Sequence, residues 1–116
     1  MKMIILVSLL SALCTVTSAQ EPVITSPQFY KVLLENDHVR VLEYRFKPGE
    51  KEPMHSHPAG VVYVLSGGTL KFSYPDGRTE EKTAATGEAI RRDPITHAVE
   101  NVGKTEAHAI AIDLKK

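Results

Sequence analysis

The chain is poor in sulfur nucleophiles and metal ligands, because its single cysteine is Cys14. With no second cysteine there is no internal disulfide and no thiolate pair to hold a metal. A charge excess of either sign is also missing: 14 basic residues balance 14 acidic ones, for a formal net charge of zero. That balance argues against a nucleic-acid surface built on phosphate contacts. No block of like charge is long enough for a disordered acidic or basic tail. A length of 116 residues allows one domain and excludes a two-domain enzyme. There is no glycine-rich phosphate loop, no serine nucleophile elbow and no internal repeat. No segment offers an amphipathic helix longer than two turns, and only Ser26 to Glu35 is ambiguous.

What is present is unevenly spread. Lys2 is the only charged residue before Glu21, and the apolar run from Met3 to Leu13 follows it. A basic start, a short apolar stretch and small residues ending at Ala19 describe a secretory signal peptide, 1–19. The run is shorter than the ~20 apolar residues a membrane span needs. Cys14 raises a lipoprotein reading, but Leu13 before it is bulky where that processing favours a small residue. The expected product is an exported, periplasmic chain with no membrane contact after cleavage. Of 116 residues, removing 19 leaves 97, with 13 basic against 14 acidic residues and no cysteine.

Beyond the leader, apolar residues recur at spacing two. Val39, Val41 and Glu43 alternate with Arg40, Leu42 and Tyr44, and Leu70, Phe72 and Tyr74 alternate with Lys71 and Ser73. Turn signals separate these runs at Gly67-Gly68, Pro75-Asp76-Gly77, Thr86-Gly87, Asp93-Pro94 and Asn101-Val102-Gly103. The pattern predicts eight or nine short strands in an all-β sandwich or barrel. An N-terminal strand or arm, 20–34, would precede a barrel domain, 35–116.

Five histidines remain after the leader: His38, His55, His57, His97 and His108. On a strand, residues two apart share a face, so His55 and His57 can aim at one point. His97 heads a later strand after the Pro94 break and can supply a third imidazole. Three imidazoles with open positions would suit a catalytic divalent metal, whereas two exposed loop histidines are the plainer alternative.

The segment Gly49 to His57, with His55-Ser56-His57 and the strand from Val61 to Gly67, resembles the first motif of the cupin family. Gly87 to Asn101, with Pro94, His97 and Asn101, resembles the second. The resemblance spans Glu35 to Leu114 and implies a small antiparallel barrel of the jelly-roll type. It implies that His55, His57 and His97 bind iron, manganese, nickel, copper or zinc. The family's fourth ligand, usually glutamate, falls near Val61 or Val62, and neither is acidic. Arg92 and Pro94 likewise stand where the family commonly has proline and glycine.

Three neutral imidazoles without a carboxylate leave a more positive site, which favours an anionic ligand. The expected function is binding of a small anionic organic molecule, with dioxygenase- or isomerase-like chemistry; the alternative is a ligand-binding cupin whose metal site is weak or lost. Tyr63 is a candidate catalytic residue, read as facing the interior with Val61 and Leu65. Arg91 and Arg92 are candidates for clamping a carboxylate, or else a solvated pair at the barrel edge. Glu50 and Glu52 are read as a charged surface loop, with a second role open as partners of an imidazole N–H. His108 and His38 are read as residues at strand starts near the surface, with His108 the one open to a ligand role. A homodimer joined through Val23 to Leu34 is expected by resemblance.

Overall fold

The computed structural model describes residues 21–116, so the leader and its cleavage site lie outside the described residues. Nine strands follow a one-turn helix, α1 (Pro22–Thr25), and a 3-10 turn (Pro27–Phe29). They are β1 (Tyr30–Glu35), β2 (Val39–Phe46), β3 (Lys51–His57), β4 (Gly60–Ser66), β5 (Gly68–Ser73), β6 (Thr79–Ala84), β7 (Ala89–Arg92), β8 (Ile95–Asn101) and β9 (Ala107–Leu114). Two sheets form, ordered β1-β2-β9-β4-β7 and β3-β8-β5-β6, and all pairings are antiparallel. The all-β jelly-roll expectation therefore holds. No helix among the described residues is long and apolar enough to cross a membrane.

Glycines set the turns. Gly49, Gly77 and Gly87 adopt positive φ, which L side chains rarely accept. Gly77 closes the β5–β6 hairpin by donating its N–H to Tyr74 O at 2.9 Å. Asn101, 1% exposed, pins the β8–β9 turn: its Nδ2 donates to Phe46 O and Thr105 O, and its Oδ1 accepts from Gly103 N.

The core lies between the sheets. Phe29, Phe46, Val99 and Ala107 pack together, flanked by Tyr30, Tyr44, Leu70 and Phe72. Phe29 meets Phe46 edge to face with centroids 4.9 Å apart. Phe29 and Tyr30 thus bind the N-terminal segment into the same core as the barrel strands.

Two facings shape the interior. On β9 the small residues Ala107, Ala109 and Ala111 point inward, while Ile110 and Ile112 lie on the outer surface. The small inward face leaves space for a cavity, which bulkier side chains would fill. On β4, Val62 and Val64 line that cavity, whereas Val61, Tyr63 and Leu65 are 39%, 45% and 40% exposed. The expectation that Tyr63 faces the interior is therefore corrected. Val61 to Leu65 is apolar at every position, so alternation carried no facing signal there.

Candidate metal centre

His55 and His57 leave β3 toward the interior, two residues apart. Across the β3–β8 ladder His55 pairs with His97, so the third ring enters from the neighbouring strand. Ring centroids lie 4.7 Å apart for His55–His57, 4.8 Å for His55–His97 and 5.2 Å for His57–His97. One nitrogen from each ring lies within 4.8 Å of the other two. The plainer alternative of two exposed loop histidines does not match this geometry: His55 is fully buried and His97 is 7% exposed. The hydroxyls of Ser56 and Thr96, register partners between these positions, meet at 2.7 Å.

The donor set suits a divalent first-row metal. Nitrogens bound to one ion at about 2.0–2.1 Å lie about 2.9–3.4 Å apart, and the Nε2 atoms of His55 and His57 stand at 3.0 Å. Burial, reinforced by Arg92 and the neighbouring imidazoles, holds His57 down to about 2, and burial with His55 and Arg92 holds His97 down to about 3. His55 is lowered as well, mainly by burial. All three rings are therefore in the neutral, ligating form at neutral pH. The Nδ1 atoms of His57 and His97 are buried without a hydrogen-bond partner, an uncommon state for buried polar atoms.

The rings line a cavity of about 510 Å³. Its walls are mostly apolar, with Val62, Val64, Leu70, Phe72 and Ile90 among them. Phe72 packs on His97 with centroids 5.1 Å apart. At the position of the family's carboxylate, Val61 points outward and Val62 presents an apolar side chain to the cavity.

The remaining candidates are dispersed. Tyr63 is on the outer surface and does not line the cavity. Arg91 sits at the rim, largely exposed, with Asp93 at 3.3 Å. Arg92 is mostly buried, bonded to Asp113 and to Pro58 O, so its guanidinium is committed to the protein. The reading of Arg91 and Arg92 as one solvated pair holds for Arg91 only. His108 pairs with Glu43 at 3.0 Å and lies outside the three-histidine group, and His38 is exposed.

Glu52 is the residue that sequence reading misplaced. It is 2% exposed and not part of a surface loop. Tyr30 and Tyr44 donate their hydroxyls to its Oε1 at 3.0 and 3.4 Å. Its Oε2 lies 3.3 Å from His55 Nδ1. Burial pushes this carboxyl up to about 7, against the pull of the two tyrosine hydroxyls and Ser26. Residues three apart on a regular strand face opposite ways, but a bulge between Glu52 and His55 turns both inward. Pro53, a residue often found at bulges, was the available signal.

A nine-stranded antiparallel jelly roll with a histidine triplet lining its cavity defines a cupin-type barrel. The family model for the cupin domain matches residues 42–113, and the chain belongs to that family. It is 31% identical over 85 residues to the beta-alanine degradation protein BauB of Pseudomonas aeruginosa PAO1, covering 72% of this chain and 90% of that one. A solved cupin domain from Bordetella pertussis Tohama I superposes with a TM-score of 0.69 and 29% identity, over 75% of this chain and 92% of that one. A Bacillus halodurans structure matches with a TM-score of 0.60 and 22% identity, over 76% and 70% of the chains, a likeness of fold alone.

Proposed function

We propose that this chain is an exported, periplasmic cupin that binds a divalent transition metal through His55, His57 and His97 and acts on a small anionic organic molecule. The carrying observation is the triplet of neutral imidazoles, their nitrogens within 4.8 Å, facing a cavity of about 510 Å³. When bound, the metal would supply Lewis-acid or redox chemistry, the basis of isomerase- or dioxygenase-like reactions. The chain's own residues do the rest. The imidazoles add no negative charge, so an anionic group is favoured beside them. Lys82 on the cavity wall and Arg91 at the rim, paired with Glu80 and Asp93, are the cations an entering anion would meet. Val62, Leu70 and Phe72 enclose an apolar body and limit water. The relative's name refers to the degradation of β-alanine, a small zwitterion, and its carboxylate end supports a carboxylate-bearing ligand.

The second reading is a ligand-binding cupin without catalysis. It is favoured by Val62, which puts an apolar side chain where the family usually has a carboxylate ligand. Metal analysis separates the two. The mature protein, reconstituted in turn with iron, manganese, nickel, copper and zinc, is expected to retain about one equivalent of at least one metal. Far less than one equivalent in every case would leave the binding reading.

The homodimer belongs to this proposal as well. Its support is the exposed apolar outer face of the five-stranded sheet, with Val61, Tyr63, Leu65 and Leu114, together with Val32, Leu33 and Leu34 on the edge strand β1.

A further inference from the structure

Three carboxylates line the cavity. Glu88 is exposed and accepts from Ala85 N, and Asp93 is exposed and paired with Arg91. Glu52 alone of the three is buried, with both oxygens out of solvent. Burial of a carboxylate is costly unless its oxygens are satisfied. Here one oxygen takes both tyrosine hydroxyls, and the Ser26 side chain also acts on the carboxyl. The other oxygen lies 3.3 Å from His55 Nδ1.

The ring's orientation is already determined from elsewhere. His55 Nδ1 stands 2.7 Å from Pro53 O, and a carbonyl can only accept, so the proton sits on Nδ1. The lone pair is then on Nε2, the atom facing His57. Glu52 is therefore not required to select the tautomer. What it adds, in its ionised form, is negative charge on the far side of the imidazole from the ligating nitrogen.

We propose that Glu52 is a positioning residue for the metal centre, supplying from behind His55 the negative charge that no carboxylate ligand supplies inside the cavity. Tyr30 and Tyr44 hold that carboxylate in place. Since Tyr30 starts β1, the N-terminal segment is part of the metal-site support. A carboxylate behind a ligating histidine raises the basicity of the ring and offsets the charge of the ion. The inference rests on the metal-binding reading and extends it to a residue outside the histidine triplet.

The test is zinc affinity, measured by chelator competition on the mature protein, with thermal unfolding of the metal-free form as control. Glu52→Gln keeps the volume and removes the charge. It is expected to weaken zinc binding about 10–100-fold, the usual effect of losing an outer-sphere partner, while the metal-free midpoint stays the same or rises. Tyr30→Phe with Tyr44→Phe keeps the charge but frees the carboxylate, and a smaller loss of zinc affinity is expected. Parent-like zinc affinity in Glu52→Gln, or in the double tyrosine variant should the first not fold, overturns the role of Glu52 and leaves the metal reading standing. A parent protein that binds no zinc or other first-row metal overturns both.

Discussion

His55 and His97 are direct register partners on β3 and β8, with ring centroids 4.8 Å apart and planes at 75°. A backbone ladder thus holds two of the three candidate ligands on neighbouring strands, and His57 is brought in by strand alternation alone. Strands position side chains more rigidly than loops do, which suits a preorganised donor set.

His57→Ala should abolish stoichiometric metal retention without unfolding the chain. His57 is half-buried and the least enclosed of the three, so truncation leaves the barrel frame intact. Loss of one donor in three should weaken affinity beyond the roughly 10–100-fold of an outer-sphere change. Elemental analysis alongside circular dichroism checks this; a variant that keeps a full equivalent would remove His57 from the donor set.

Acid should destabilise the metal-free protein well above the carboxylate range. His55, His57 and His97 are lowered in the fold, the last two to about 2 and about 3. Below about 6.5 the unfolded chain protonates these rings and the native chain does not, so their stabilising contribution is present above that pH and lost as pH falls. Glu52 works the other way. Raised to about 7, it binds a proton in the fold that the unfolded chain lacks, so its contribution is present below about 4.5 and lost as pH rises through 7. Two imidazoles held to about 2 and about 3 outweigh one carboxyl, His55 adds in the same direction, and stability should drop by about 1.4 kcal/mol per pH unit or more between about pH 6 and 5. Urea midpoints that stay level from pH 7 to 5 would contradict this.

Gly60→Ala should destabilise the fold by about 2 kcal/mol or more. A Cβ at Gly60 would sit 2.2 Å from Ile112 O and 2.9 Å from Arg92 Nη2, where β4 lies between β9 and β7. Backbone cannot yield as a flexible side chain can. Denaturant unfolding measures the loss, and a parent-like midpoint would show that the strand shifts freely.

Charge on the outer face should dissociate the proposed dimer. Val61→Lys and Tyr63→Asp place charge among exposed apolar side chains on β4, away from the cavity. Light scattering is expected to give a dimeric mass for the parent and half that mass for the double variant. A chain started at Glu35 is a poorer test, because it loses Phe29 from the core and Tyr30 from Glu52. Equal masses for parent and variant would remove this face from the interface.

Much of the architecture was legible in one dimension. Gly77 and Gly87 marked turns because only positive φ closes them there, and the His-x-His spacing put two imidazoles on one face because strand side chains alternate. The facing of β4 was not legible, since Val61 to Leu65 is apolar on both sides. The inward alanines of β9 ran against the usual weighting of bulk toward the core. Glu52 was hidden by the bulge at Pro53, which moves a residue from the solvent side to the interior within three positions.

Local rules therefore determined the β class, the turns and the histidines that can share a point, because each depends on residues adjacent in the chain. Tertiary structure alone decided that His97 is the register partner of His55, that Val62 and not Tyr63 faces the triplet, and that Glu52 stands behind His55 under Tyr30 and Tyr44. Those relationships run across strand register, a bulge and contacts 22 residues apart in sequence. Such separations are bridged by packing, on which local alternation carries no information.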